Sequence, residues 1–160
     1  MQGSITDVRG ILVGHAQDAV AATGCTVVLC TAGAVAGVDV RGGAPGTREI
    51  SCMDASATVQ HVHGVLLAGG SAFGVDAAGG VMRWLEEHGF GFDVKVTRVP
   101  IVPAAIIYDL TVGSHAVRPD AAMGYAASRA ASADPPARAT SAPAPAPRSG
   151  RSRGASGHPA

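Results

Sequence analysis

The groups with the clearest chemical potential lie in one glycine-rich run, Leu67-Ala68-Gly69-Gly70-Ser71-Ala72-Phe73-Gly74. An apolar, strand-like stretch leads into the glycines, and a helical pattern follows them. Such a turn presents backbone N–H groups and the positive end of a helix dipole, which suit a carboxylate, a phosphate or an oxyanion. We therefore predict a substrate-binding turn made of Gly69, Gly70, Ser71, Ala72 and Phe73.

Ser71 could serve this turn as a nucleophile or as a helix cap. A serine nucleophile elbow needs glycine two residues before and two residues after the serine. Gly69 meets the first condition and Phe73 breaks the second. A serine just ahead of a helical pattern is a good N-cap, and we predict that role. A Walker phosphate loop is excluded, because no Gly-Lys-Ser or Gly-Lys-Thr follows the glycines.

Other reactive side chains have ordinary interpretations. His61 and His63 would share one face of a strand, and Cys52 could lie near them. No third and fourth ligand stands at a recognisable spacing, so we predict no metal and no cofactor. Asp39 and Arg41 also share a strand face, and we predict that they form an ion pair.

The elements that position these groups follow from the hydrophobic pattern. Predicted strands and extended segments are Gly10–His15, Cys25–Cys30, Val35–Arg41, Val62–Leu67, Val99–Val102 and Ala104–Leu110. Predicted helices are Asp54–His61, Ser71–His88 and Ala121–Ala130. Their alternation indicates an α/β fold with a mixed sheet and flanking helices. Tyr108, in one of the apolar segments, reads on its own as a core tyrosine.

Two helices carry signals at their ends. Gly89 suits the left-handed position just after the second helix, and Asp120 suits the N-cap of the third. Gly79 and Gly80 each weaken the second helix by about 1 kcal/mol relative to alanine. Their presence predicts close packing of that helix against another element.

The composition excludes some functional classes. The formal net charge is +0, with no basic or acidic stripe over residues 1–130, so neither nucleic acid nor an anionic membrane is expected as a partner. The 3 cysteines lack a C-x-x-C spacing and favour a reducing compartment. The chain shows no signal peptide and no apolar run near ~20 residues, so a cytoplasmic location is predicted.

The end of the chain differs in kind from the rest. Residues 131–160 are rich in alanine, proline and arginine, with almost no apolar side chain larger than alanine. Such a segment cannot bury enough surface to offset the entropy of ordering it, about 1–2 kcal/mol per residue for the backbone. We therefore expect a partial domain over residues 1–130 and a disordered tail over residues 131–160.

Several motifs carry a resemblance to a known family. They are the opening Ile5-Thr6-Asp7-Val8-Arg9-Gly10-Ile11-Leu12-Val13-Gly14-His15, the run Val38-Asp39-Val40-Arg41-Gly42-Gly43-Ala44-Pro45-Gly46-Thr47-Arg48-Glu49, Gly69-Gly70-Ser71-Ala72-Phe73-Gly74, Arg98-Val99-Pro100-Ile101-Val102-Pro103-Ala104-Ala105 and Arg118-Pro119-Asp120. In this order they resemble the L-aminopeptidase/D-esterase family, which also contains the nylon-oligomer hydrolases. The resemblance covers about residues 3–130.

The resemblance implies a four-layer αββα fold like that of N-terminal-nucleophile hydrolases, of which this chain would hold an incomplete part. Family members cleave themselves into two subunits, and the new N-terminal Ser or Thr of the second subunit attacks an amide or ester carbonyl. Family substrates are small peptides and amino-acid amides or esters. Of the family's active-site groups, only Tyr108 has a match here. The nucleophile, its asparagine partner and a lysine have none.

We therefore expect a truncated member of this serine/threonine aminopeptidase family that is inactive alone. The tail is compatible with a frameshift, because shifted codons for Arg138–Arg151 can spell the family's Gly-Asn-Val-Gly-Ala-Gly stretch. Uncovered sheet faces and edges would cause self-association unless the missing half is supplied. The alternative is a non-catalytic subunit, or a module that binds a carboxylate-bearing small molecule at Gly69–Gly74.

Overall fold

The computed structural model describes residues 3–136. The frameshift prediction for Arg138–Arg151 and most of the predicted tail lie outside the described residues. The strands are β1 (Leu12–Asp18), β2 (Thr23–Ala34), β3 (Thr47–Arg48), β4 (Val62–Ala68), β5 (Phe92–Asp93), β6 (Arg98–Val99) and β7 (Ala104–Ile106). The α-helices are α1 (Ala77–Glu87) and α2 (Ala121–Arg129). Short 3-10 helices cover Ile5–Asp7, Ile50–Met53 and Ser71–Asp76.

Most of the strands form one mixed sheet in the order β1-β2-β4-β7-β3. Neighbouring strands are antiparallel except β4 and β7, which run parallel with Leu67 opposite Ala105. β5 and β6 form a separate two-stranded ribbon. At the outer edge of β1, Val13 and Ser132 exchange two backbone hydrogen bonds of 3.0 and 3.1 Å. The prediction of an α/β fold with a mixed sheet is confirmed.

The two α-helices cover one face of this sheet. Alternate residues of β2 and β4 face them, so Val27, Leu29 and Leu66 are fully buried together with Val81 and Leu85 of α1. Each buried aliphatic side chain contributes about 1.5–3 kcal/mol, which makes this cluster the main source of stability. One helical layer on one sheet layer is half of the four layers that the family resemblance implies.

Glycines allow α1 and α2 to approach each other closely. A Cβ atom on Gly80 would overlap the carbonyl oxygen of Ala121, and one on Gly124 would overlap the carbonyl oxygen of Ala77. Gly79, in contrast, faces open space. The close packing predicted from the two adjacent glycines is therefore confirmed for Gly80 and wrong for Gly79.

The ends of the helices agree only partly with the sequence signals. Asp120 Oδ1 accepts the Met123 N–H at 2.8 Å and caps α2, and Gly89 has a φ of 76° just after α1. The prediction of Ser71 as an N-cap is wrong, because its own φ is 55° and Gly70 occupies the cap position. Left-handed backbone at both residues tightens the chain into a 3-10 helix, so α1 begins only at Ala77.

Two other predicted elements are irregular in the structure. Val35–Arg41 is not a strand, because β2 ends at Ala34 opposite Val62, the first residue of β4, and the segment beyond has no neighbouring strand among residues 3–136 to pair with. Asp54–His61 is not a helix, because the Asp54 carboxylate accepts hydrogen bonds from both the backbone and the hydroxyl of Ser56. Such local bonds compete with helix formation.

The second face of the sheet lacks a helical cover among residues 3–136. Leu67 and Ile107 are 49% and 58% exposed there, and their neighbour Ala105 is exposed as well. This apolar face corresponds to the uncovered sheet expected from the sequence. No helix of the described residues is long and apolar enough to cross a bilayer.

His63 ties β4 to the segment ahead of β7. Its side chain is buried, and its Nδ1 accepts the Ile101 N–H at 3.2 Å, while the backbone N–H of His63 donates to the Ile101 carbonyl at 2.8 Å. Burial lowers the pKa of His63 below its ordinary 6.5, and the nearby charges of His61 and Arg98 lower it further. Because Nδ1 accepts a hydrogen bond, the neutral form of the ring has its proton on Nε2.

This depressed pKa makes stability depend on pH. The unfolded chain binds a proton at His63 more readily than the folded chain, so the free energy of unfolding is expected to fall as pH drops below 6.5. The contribution is complete above that pH. Urea unfolding between pH 7.5 and pH 5 measures the slope, and His63→Asn, which keeps an acceptor near Nδ1 but does not titrate, should reduce it. An unchanged slope in His63→Asn would mean that other groups cause the pH dependence of stability. His115→Asn, at an exposed histidine, is the control and should keep the parent's slope.

Candidate functional site

The glycine turn at the end of β4 has a rigid, unusual backbone. Gly70 and Ser71 both have positive φ values, 83° and 55°. The Gly69 N–H donates to the Gly24 carbonyl at 3.0 Å, and the Ser71 N–H donates to the Ile107 carbonyl at 3.0 Å. These two N–H groups of the predicted binding turn therefore already have acceptors within the sheet.

The N–H of Gly70, between these two, binds the chain's own carboxylate. Asp109 Oδ1 accepts the Gly70 N–H at 2.6 Å, and its Oδ2 accepts the Thr23 hydroxyl at 2.7 Å. A Cβ atom on Gly69 would overlap the same carboxylate, so glycine is required there. The turn does hold an anion, as its geometry suggests, but that anion is Asp109. The Gly70 N–H is thus not available to an external carboxylate.

Tyr108 lies next to this turn and faces solvent. Its side chain is 65% exposed, so its interpretation as a core tyrosine is wrong. The backbone on both sides is fixed, because the Ile107 N–H donates to the Ala68 carbonyl at 2.9 Å and the Asp109 carboxylate is held by the turn. The parallel pairing of β4 and β7 thus brings Tyr108 and the residues around Gly70 to the same end of the sheet.

Ser71 and Cys25 have side chains that can act as nucleophiles, but neither has neighbouring groups in the described part of the chain that would activate it. Among residues 3–136, no imidazole or carboxylate forms a hydrogen bond to the Ser71 hydroxyl. Burial, with a smaller effect from Asp120, raises the pKa of the Cys25 thiol to about 11. Since the thiolate is the reactive form, Cys25 is an inert core residue.

A cavity of about 290 Å³ adjoins the turn on the sheet face away from the helices, lined among others by His15, Thr26, Leu67, Gly69 and Ile107. His15 Nδ1 lies 2.8 Å from the Thr26 hydroxyl oxygen. A hydroxyl nucleophile and its base have this separation, but such a base also needs a group that orients its second nitrogen. His15 Nε2 is buried, and no described residue hydrogen bonds to it.

Sequence reasoning missed the pairing of His15 with Thr26. Alternation within β1 and β2 places each residue on a known face, but the register that sets them opposite each other depends on the loop at residues 19–22. The signal available in the sequence was the presence of one polar residue, His15 or Thr26, in each of two otherwise apolar strands that are adjacent along the chain.

A second cavity, of about 440 Å³, lies under the irregular segment that contains Val38 and Val40, against Pro103 and Ile106. The predicted ion pair between Asp39 and Arg41 is confirmed on this segment, with 2.7 Å between Oδ2 and Nε. Both side chains are mostly exposed, and such pairs contribute about 0–1 kcal/mol.

The candidate metal ligands lie apart from this site. His63 is engaged with Ile101, and His61 is exposed. No group of three His, Cys, Asp or Glu side chains in residues 3–136 is placed to hold a metal ion.

Comparison with known proteins gives one family. Residues 3–142 match the model of peptidase family S58. An uncharacterized aminopeptidase of Mycobacterium tuberculosis (strain H37Rv) is 53% identical over 139 residues, which cover 82% of this chain and 40% of the relative. A 6-aminohexanoate-oligomer endohydrolase of Paenarthrobacter ureafaciens is 38% identical over 124 residues, 76% of this chain and 32% of the relative.

A solved structure supports the fold. The β-aminopeptidase of a Burkholderia species superposes with a TM-score of 0.51 at 23% identity, over 81% of this chain and 38% of that protein. The chain thus spans about 40% or less of the length of these relatives.

Proposed function

Because this chain belongs to peptidase family S58, we propose that it contributes a tyrosine and a rigid glycine turn to an aminopeptidase-type hydrolase. Its substrates are small peptides or amino-acid amides and esters. The relatives' names, aminopeptidase and oligomer endohydrolase, support this class of reaction. The observation that carries the proposal is the exposed Tyr108, held beside the turn by fixed backbone on both sides.

Tyr108 acts as a hydrogen-bond donor in this proposal. A phenol held at the rim of the site can donate to the substrate carbonyl and to the oxyanion that forms from it, which stabilises the transition state. The Asp109 carboxylate, bound to Gly70 and Thr23, keeps the tyrosine's backbone in place. Asp109 is therefore a positioning residue.

The nucleophile comes from a second polypeptide segment, the N-terminal Ser or Thr that the family resemblance implies. In support, no hydroxyl of residues 3–136 pairs with an imidazole whose second nitrogen is oriented by another group, since the Nε2 atom of His15, the partner of Thr26, has no hydrogen-bond partner. The exposed apolar face around Leu67, Ala105 and Ile107 is the surface on which that segment docks. Without the segment, the same face causes self-association. The free thiols Cys25, Cys30 and Cys52 support a cytoplasmic location.

The test supplies the second segment in trans. The purified chain is assayed with an L-aminoacyl p-nitroanilide, alone and after co-expression with the part of the Mycobacterium tuberculosis relative that follows the matched region. We expect no turnover by the chain alone and measurable turnover by the pair. In the active pair, Tyr108→Phe should lower kcat about 100-fold.

The chain provides a matched control for this variant, since Tyr125 is its other tyrosine. Tyr125 lies on α2, where its hydroxyl donates to Glu87, and Tyr125→Phe should leave kcat unchanged. Turnover by the chain alone that Ser71→Ala abolishes would place the nucleophile inside this chain and overturn the proposal.

A further inference from the structure

Arg118 lies against the glycine turn with its guanidinium over an aromatic ring. Its Cζ atom is 4.0 Å from the centroid of the Phe73 ring, and Phe73 is 56% exposed. A Cβ atom on Gly70 would lie 3.3 Å from the Arg118 Cβ, so the two residues are direct neighbours. Pro119, the next residue, is fully buried and anchors the backbone. The guanidinium is therefore held at the rim of the turn.

The charge of Arg118 has no acidic partner among residues 3–136. Ion pairs in this part of the chain join Arg41 to Asp39, Arg83 to Glu87, and Arg98 to Asp93. A guanidinium whose face stacks on a ring keeps its in-plane N–H groups available, and these match a carboxylate with two parallel hydrogen bonds. Stacking also fixes the side chain in advance, which lowers the entropy lost on binding.

Arg83 offers an internal comparison. Its Cζ atom is 4.4 Å from the centroid of the Tyr125 ring, so it also stacks on an aromatic side chain. However, Glu87 lies 3.6 Å from the Arg83 guanidinium and accepts the Tyr125 hydroxyl at 2.7 Å. The charge of Arg83 is thus compensated within the fold, and that of Arg118 is available to a ligand.

The neighbouring turn strengthens the contrast. Its Gly70 N–H is occupied by Asp109, so an external anion cannot bind there. Arg118 and Phe73 flank this filled position and face solvent. The cation at the rim is what the site offers to a negatively charged substrate group.

We propose that Arg118 binds the C-terminal carboxylate of short peptide substrates and that Phe73 is the platform that orients its guanidinium. The identity of this ligand rests on the proposed peptidase function. The site then prefers peptides with a free carboxylate over the corresponding peptide amides. Phe73, included in the predicted binding turn for its backbone, acts here through its ring.

The test compares two ligands that differ only in the charge. Gly-Leu and glycyl-leucinamide are titrated into the ¹⁵N-labelled 160-residue chain, and the arginine Nε–H signals are followed by NMR. We expect Gly-Leu to bind about 10-fold more tightly than the amide, which corresponds to one charge-assisted hydrogen-bonded contact. Arg118→Gln should reduce the ratio of the two dissociation constants to about one.

Two further variants separate the contributions. Arg83→Gln, the matched control, should leave the 10-fold ratio intact. Phe73→Leu keeps an apolar side chain but removes the ring, and the ratio should fall to about 3-fold because the guanidinium loses its orientation. Circular dichroism of each variant verifies that it folds.

The wild-type comparison decides the proposal even if a variant fails to fold. Equal dissociation constants for Gly-Leu and its amide would overturn it, as would a preference that persists in Arg118→Gln. Failure of the peptidase proposal looks different, because the co-expressed pair would then lack turnover while the carboxylate preference remains. Turnover without any carboxylate preference would leave the peptidase function and remove the role of Arg118.

Discussion

Gly80→Ala is expected to lower the free energy of unfolding by about 3 kcal/mol, because overpacking between two helices forces them apart. The added methyl group would overlap the Ala121 carbonyl oxygen, a backbone atom that cannot rotate away. For Gly79→Ala the expected change in the free energy of unfolding has the opposite sign, since a methyl group there would meet no other atoms of the described chain. There the gain in helix propensity raises the free energy of unfolding by about 0.5–1 kcal/mol.

Urea denaturation followed by far-ultraviolet circular dichroism measures both effects on adjacent residues of the same helix. Gly124→Ala should behave like Gly80→Ala, because its methyl group would meet the Ala77 carbonyl oxygen across the same contact. A Gly80→Ala variant within about 0.5 kcal/mol of the parent, the usual range for neutral surface changes, would mean that the helices are not packed this closely.

Asp109→Ala is the second change with a large expected effect. It removes the acceptor of the Gly70 N–H and of the Thr23 hydroxyl, and Thr23 is only 5% exposed. Hydrogen bonds to a charged group contribute about 1.5–3 kcal/mol each, and both donors would be left unpaired. We expect the free energy of unfolding to fall by about 3–5 kcal/mol.

Graded variants separate the two bonds. Asp109→Asn keeps an acceptor for Gly70 and an amide that can donate to Thr23, so it should cost about 1 kcal/mol. Thr23→Val removes only the hydrogen bond to the Thr23 hydroxyl, so its loss of stability should lie between those of Asp109→Asn and Asp109→Ala. Asp39→Asn, in the exposed ion pair with Arg41, is the control and should change stability by less than about 1 kcal/mol. Equal stabilities of Asp109→Ala and Asp39→Asn would show that the Asp109 carboxylate does not hold the turn.

The sequence predicted elements well where the signal is local. The β-branched run Cys25–Cys30 is part of β2, and the cap at Asp120 begins α2 as expected. The sequence-based prediction failed where an element forms only if a partner strand lies beside it. Val35–Arg41 alternates like a strand, but it lies beyond the start of β4 and has no neighbouring strand in the described part of the chain to pair with.

The candidate site shows the same division. The glycines of the turn and its place after a strand were visible in the sequence. That Asp109 would fill the turn was not visible, because 39 positions separate it from Gly70 and only the parallel pairing of β4 and β7 brings them together. The exposure of Tyr108 was hidden for the same reason, since apolar neighbours such as Ile107 suggested a core position.

The pairing of Val13 with Ser132 joins residues that are synthesised far apart in time. β1 and β2 are close in sequence and can form a hairpin soon after synthesis, within about 1–10 μs. The outer edge of β1 gains its partner only when Ser132 has been made. At synthesis rates of about 5–20 residues per second, roughly 5–20 s pass between synthesis of the hairpin and synthesis of Ser132, and during this time the outer edge of β1 has unpaired backbone groups. Near its end β1 carries the polar residues Gln17 and Asp18, and polar or charged residues on an edge strand discourage pairing with other chains.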